Sequence, residues 1–310
     1  MQQLTNYKTY FMITNLKGLY TGLVSFFYKI RMSSFIHRLI SKKYNHKQIN
    51  LTPLQEGVLR NLKEKGYSML HIDEVFGVGY YSNNLIPIAK VVKEKLNEDL
   101  IMEGGGDRFK RGKDFVARFY DEDKPISFAD KINELVINDF FYDLAVKYLD
   151  THPRITNIDY WLNIPKQDAP KSSQKWHRDY EDLKLLKVFL YLGDVTSESG
   201  PLSYVESSQR NGKFGELFPR KFPNGVVVDD KDIDAYFTKN EQKTFTLKDG
   251  TLVFADTSGL HKGGHCTSDE RFLYTFTYTS FAGISPRNFK ISNDKAFDEV
   301  EGRKKISLVE

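Results

Sequence analysis

Residues 271–280, Arg-Phe-Leu-Tyr-Thr-Phe-Thr-Tyr-Thr-Ser, constrain the fold more than any other stretch of the chain. Phe272, Tyr274, Phe276 and Tyr278 alternate with Leu273, Thr275, Thr277 and Thr279. A period of two sends successive side chains to opposite faces, so this segment reads as a strand with two unlike faces. The aromatic face needs a thick apolar cover, which helices would supply. The Leu/Thr face begins at Arg271 and could line a pocket.

Further short β-like runs occur at 155–164, 186–192, 201–205, 226–228, 244–247 and 251–254. Turn residues separate them: Gly193-Asp194, Ser199-Gly200-Pro201, Pro223-Asn224-Gly225 and Asp249-Gly250. Many short strands with such punctuation predict a sandwich or barrel. The first half has a different texture. Thr52 can cap a helix with Pro53 at its first position, and Leu54, Val58, Leu59 and Leu62 continue it as a stripe until Gly66. A strand is expected at 67–72 and a helix at 85–96, ending in Asn97-Glu98-Asp99, with Pro87 tolerated in its first turn. Residues 128–149 read as one long helix, with Ile132, Leu135, Val136, Phe140, Leu144 and Leu149 near one stripe. His152 follows it and reads as a cap or surface residue. Residues 104–113, Gly-Gly-Gly-Asp-Arg-Phe-Lys-Arg-Gly-Lys, read as a basic loop or lid. A phosphate loop is disfavoured there because Asp114, not Ser or Thr, follows Lys113.

Charge divides the chain unevenly. The first 55 residues hold eight basic residues (Lys8, Lys17, Lys29, Arg31, Arg38, Lys42, Lys43, Lys47) and no acid before Glu56. The other 37 of the 45 Lys+Arg face 41 Asp+Glu, so the body carries about −4. A slightly acidic body argues against nucleic acid as a partner. The apolar run 18–28 is too short to span a bilayer. It has the length of a signal-peptide core but lacks a clear cleavage site. Three expectations remain for residues 1–48: packing on the body, peripheral contact with an anionic membrane, or contact with a partner or acidic polymer. The single Cys266 rules out an internal disulfide and a Cys-rich zinc site, and fits a cytoplasmic setting. The expected division is a basic, partly apolar arm over 1–50, one domain over 51–290 and a charged tail over 291–310 that ends in a short exposed segment.

The chemistry-bearing constellation is Trp176-His177-Arg178-Asp179 with Leu260-His261-Lys262 and Arg271. On an extended chain His177 and Asp179 point to one face. A second histidine brought in by the fold would complete two His and one carboxylate, the facial triad of non-haem Fe(II) oxygenases. His-x-Asp alone is a cheap pattern: His71-Ile72-Asp73 repeats it and reads as structural. His261 stands ten residues before Arg271 and His265 six, and His265 stays open as the alternative third ligand. Arg271 also has a plain reading, an ion pair with Asp269 or Glu270.

The order His-x-Asp, about eighty residues, His, and Arg about ten later resembles the phytanoyl-CoA dioxygenase-like family of Fe(II)- and 2-oxoglutarate-dependent oxygenases. The likeness extends from Gln174 through 186–192 to Ser199-Gly200-Pro201-Leu202-Ser203-Tyr204-Val205, and spans roughly residues 50–285. Ser207-Ser208 stand where the family usually carries Pro-Gly-Ser-His, which puts that loop's conformation in question. The resemblance implies a double-stranded β-helix (jelly-roll, cupin-like) core buttressed by N-terminal helices, a mainly β, α+β fold. It implies Fe(II) on His177, Asp179 and His261, and 2-oxoglutarate with its distal carboxylate on Arg271, whose planar fork suits a carboxylate. Gln174, Lys187 and Thr257 are further candidates for contacts to the cosubstrate or behind the metal ligands. The implied reaction uses O2 and 2-oxoglutarate to hydroxylate a small-molecule or lipid-like substrate, releasing succinate and CO2. Halogenating relatives have a small residue at the Asp179 position, so the carboxylate points to hydroxylation. Rival readings are a non-catalytic metal- or ligand-binding jelly roll, and a membrane-surface adaptor acting through the basic arm.

Overall fold

The structure, a computed structural model, describes residues 49–102, 109–110, 113–120, 124–220, 226–300 and 302–309, together with Phe26, Phe27, Ile30, Arg31, Ser33, Phe35 and Leu39. Most of the basic arm, most of the 104–113 loop and the turn at 223–225 fall outside these residues. Among the described residues no helix is long and apolar enough to cross a membrane.

Helix α1 (Pro53–Lys65) starts on the expected cap: Thr52 Oγ1 accepts from Gln55 N, and Gln55 Oε1 accepts from Thr52 N. Such a reciprocal box satisfies two backbone donors that the first turn would otherwise leave bare. Gly66 ends the helix at φ 88°, a left-handed conformation that favours glycine. Strand β1 (Tyr67–His71) and the short α2 (Asp73–Phe76) follow. Asp73 turns inward on its own loop, accepting from Gly79 N and Tyr81 N, so the second His-x-Asp is structural.

Helix α3 (Ile86–Met102) runs past the expected stop at 97–99, because Leu100 still packs on the core. The 128–149 pattern is broken rather than continuous. It divides into α4 (Lys131–Glu134), a 3-10 turn (Leu135–Ile137) and α5 (Asp139–Leu149). Asn138 makes the break: its backbone is extended and its side chain accepts from Phe140 N at 2.9 Å. An asparagine side chain competes with helical backbone bonding in this way. The apolar stripe survived the break, so periodicity alone could not reveal it.

Strands β2 (Phe109–Lys110), β3 (Lys113–Arg118), β4 (Pro153–Asn163), β5 (Trp176–Arg178), β6 (Leu186–Tyr191), β7 (Leu202–Val205), β8 (Val226–Val228), β9 (Gln242–Thr244), β10 (Thr251–Ala255), β11 (His261–Gly263) and β12 (Arg271–Ser280) complete the β part, with α6 (Asp230–Tyr236) after β8. The larger sheet has the order β1-β10-β6-β12-β4-β3-β2, and the smaller β8-β5-β11-β7-β9. Every strand pair in both is antiparallel. This is the jelly-roll arrangement, two facing sheets with helices against one of them.

The unlike faces of β12 divide the core in two. Phe272, Tyr274, Phe276 and Tyr278 pack outward with the helices, Phe276 edge-on to Phe141 of α5 at 5.5 Å. Leu273 points inward, where Phe189 and Tyr191 of β6 meet Leu202 and Tyr204 of the smaller sheet.

The C-terminal tail is partly helical and only partly exposed. After α7 (Lys295–Asp298), helix α8 (Gly302–Val309) buries Ser307 and Leu308. Ser307 Oγ lies 2.9 Å from Tyr142 Oη and 3.2 Å from His152 Nε2. His152 is accordingly buried, not a surface cap. Only a few apolar side chains among lysines do this packing, too sparse a pattern to read as a buried face. Arg31, from the arm, donates to the carbonyls of Ala282 (2.9 Å), Phe281 and Gly283 (both 3.3 Å), so this residue rests on the turn after β12.

Candidate metal centre

β5 and β11 are neighbours in the smaller sheet, and His177 and His261 are register partners. Their rings lie 4.2 Å apart between centroids. Asp179 follows β5 and is fixed by its backbone N–H, which donates to Thr257 O at 2.8 Å. Asp179 Oδ1 is 3.6 Å from His177 Nε2, and Oδ2 is 3.8 Å from His261 Nε2. One donor atom from each of the three lies within 4.8 Å of the others, a grouping that could hold a metal ion. His265 is not in it; its Nε2 lies 2.8 Å from Lys166 O.

Both imidazoles are fixed through Nδ1. His177 Nδ1 stands 2.9 Å from Lys175 O and His261 Nδ1 3.0 Å from Gly259 O. A carbonyl only accepts, so each Nδ1 carries the proton and each Nε2 keeps its lone pair. Burial pushes His177 down, against the pull of Asp179. Burial and the neighbouring His177 push His261 down to about 3. Both rings are therefore neutral at ordinary pH. Burial alone would raise Asp179, but Lys187, then His261 and His177, hold it well below the usual carboxylate range. A buried anion beside two neutral imidazoles is a donor set suited to Fe(II) and related divalent metals.

Arg271 opens β12 on the inward face and is buried. Its Nη1 donates to Ser199 O at 3.3 Å, and its Nε has no partner. The nearby acids are engaged elsewhere: Glu270 pairs with Lys93, and Asp269 accepts from Thr196 Oγ1 at 2.8 Å. Among the described residues no carboxylate forms an ion pair with Arg271. Gly263 leaves space beside it, since a Cβ there would come 3.4 Å from Nη2. A buried guanidinium with an unmet donor fits an incoming carboxylate.

Both sets open into one cavity of about 400 Å³. His177, Asp179, His261 and Arg271 line it, as do Lys187, Phe189 and Tyr191 from the inward face of β6. Trp161, Asn163 and Lys113 also reach it. The period of two in 186–192 already put Lys187, Phe189 and Tyr191 on one face; Lys113 was hidden inside a segment read as loop. Two other candidates lie outside the wall. Gln174 Oε1 accepts from Lys171 N at 3.0 Å and serves its own turn. Thr257 contributes its backbone carbonyl to Asp179, while its buried hydroxyl has no partner.

Sequence reasoning also passed over Arg178, between His177 and Asp179. Buried at 3% exposure, it donates to five carbonyls: Ser208, Phe214, Leu217, Phe218 and Ser258. It ties β5 to the 208–218 loop and to the approach to β11. In that loop Ser208 Oγ accepts from Leu260 N at 2.8 Å, so the serine replacing the expected turn still braces the strand bearing His261.

A family model described as Phytanoyl-CoA dioxygenase (PhyH) matches residues 104–272, more than half of the chain and all four of His177, Asp179, His261 and Arg271. The chain belongs to the phytanoyl-CoA dioxygenase family. Comparison with curated proteins found no match to this family member. Among solved structures it is similar to EctD from S. alaskensis with bound Fe, at 16% identity and TM-score 0.50 over 81% of this chain and 86% of that one. It is also similar to HygX from Streptomyces hygroscopicus with nickel, 2-oxoglutarate and hygromycin B bound (14% identity, TM-score 0.47, 81% and 100% covered). A third is the epimerase SnoN in complex with Fe3+, alpha ketoglutarate and nogalamycin RO (15%, TM-score 0.47, 78% and 97%). At 16% identity the likeness to EctD concerns the fold, which in this family member is the jelly roll.

Proposed function

We propose that the protein is an Fe(II)- and 2-oxoglutarate-dependent dioxygenase that hydroxylates a small organic molecule. The observation that carries this is the convergence of His177, Asp179 and His261 in one cavity with a buried, acid-free Arg271. His177 and His261 would hold Fe(II) through Nε2 and Asp179 through its carboxylate. Bound Fe(II) would supply the centre where O2 oxidises substrate as 2-oxoglutarate loses CO2 to become succinate. The balance is one substrate C–H, one O2 and one 2-oxoglutarate giving one alcohol, one succinate and one CO2.

The chain's own groups have separate tasks. Arg271 would bind and orient the distal carboxylate by two parallel hydrogen bonds, fixing which way the cosubstrate lies. Phe189, Tyr191, Trp161 and Leu273 would exclude water from the reacting end. A cavity of about 400 Å³ must hold the cosubstrate as well, which fits a small substrate. Membrane contact by the arm is a separate proposal without support from the described residues. The test is succinate formation from 2-oxoglutarate with Fe(II) and O2, with Arg271→Ala and His177→Ala alongside. Succinate from wild type alone supports the reading. Iron binding without succinate, under every substrate tried and without substrate, favours a non-catalytic jelly roll.

A further inference from the structure

Lys187 is a cavity cation held directly against a proposed metal ligand. It sits on β6 of the larger sheet, in register with Ala255 of β10 and Thr277 of β12. Asp179 follows β5 of the facing sheet. Lys187 Nζ crosses the gap to Asp179 Oδ2 at 2.6 Å, with the two side chains 14% and 13% exposed. Backbone pairing fixes one end of this strut, and the Asp179–Thr257 bond fixes the other.

We propose that Lys187 is a positioning residue that engages one oxygen of Asp179, so that the carboxylate meets a metal through a single oxygen. This rests on the dioxygenase reading. The reason is a count of positions. A metal held by His177, Asp179 and His261 through one atom each would keep its other positions open for cosubstrate and O2, and a carboxylate bound through both oxygens would take one of them. An ammonium on Oδ2 disfavours that mode, whereas a neutral side chain would permit it. The same ammonium compensates a buried anion that otherwise faces two neutral imidazoles in the metal-free protein.

The test uses the full-length protein with Co(II) in place of iron, without O2. Co(II) visible absorption reports coordination number, and 2-oxoglutarate is titrated into the Co(II) protein. Wild type is compared with Lys187→Met and Lys187→Arg, each checked by circular dichroism. Lys187→Met is expected to alter the Co(II) spectrum and weaken 2-oxoglutarate by roughly 10–100-fold, the usual effect of losing a group behind a ligand. Lys187→Arg is expected to restore most of both. If Lys187→Met does not fold, Lys187→Gln, of similar length but uncharged, takes its place. Lys187→Met or Lys187→Gln matching wild type in spectrum and affinity would overturn the inference. So would Lys187→Arg failing alongside Lys187→Met, because lost packing would then suffice. Wild type taking up no Co(II) would instead overturn the dioxygenase reading, and the inference with it.

Discussion

His177 and His261 face each other across the β5–β11 ladder, as register partners with rings 4.2 Å apart. Strand pairing, not a flexible loop, thus sets the distance between the two nitrogen donors. A slip of one residue in this ladder would send one ring to the opposite face. The arm of β11 that carries His261 is braced by Ser208, and the end of β5 by Arg178.

The first expectation follows from that placement. His261→Ala should lose Co(II) affinity by more than the roughly 10–100-fold typical of a group behind a ligand. His265→Ala should bind Co(II) like wild type, because His265 faces Lys166 O. Calorimetric titration of the two variants decides between them.

Arg271 is expected to act on the cosubstrate and not on the metal. Hydrogen bonds to charged groups contribute ~1.5–3 kcal/mol, so Arg271→Met should weaken 2-oxoglutarate by about 10- to 150-fold. Co(II) affinity measured without cosubstrate should be unchanged. A matching loss in both titrations would mean that Arg271 shapes the site instead of recognising a carboxylate.

Arg178→Met should be among the most destabilising single changes in the chain. It would orphan five carbonyls that now accept from one buried guanidinium. An unmet buried polar group costs about 1–3 kcal/mol, so a loss of about 3 kcal/mol or more is expected even after partial relaxation. Urea unfolding would show it as a lower midpoint.

The C-terminal helix is part of the folded body. Leu308 is fully buried, and Leu308→Ala should cost about 2–5 kcal/mol, as large-to-small changes in a core do. Val309, exposed on the same helix, should tolerate alanine within about 0.5 kcal/mol. Equal melting temperatures for both variants would contradict the packing described for α8.

Much of this was legible beforehand because its signals are local. Thr52, Pro53 and Gly66 marked α1 by end chemistry, and the two-residue alternation of 272–280 gave both faces of β12. The triad was legible as spacing plus order. What stayed hidden depends on tertiary contact. Asn138 breaks a helix whose stripe continues across it, and Ser307 is buried by Tyr142 and His152, far away in the chain. Arg178, between His177 and Asp179, gave no signal because its five acceptors are backbone carbonyls, which no side-chain pattern can announce. Lys187 was marked as a site residue, but its bond to Asp179 needed the two sheets to be brought face to face.

The most direct test of the central claim is anaerobic addition of Fe(II) and 2-oxoglutarate, followed by the weak visible metal-to-ligand charge-transfer band. The expected result is a band in wild type, none in His177→Ala, and a band in Arg271→Ala only at much higher cosubstrate. Iron bound without any band would contradict joint chelation of metal and 2-oxoglutarate in this cavity, and no bound iron would mean that His177, Asp179 and His261 do not form a metal site.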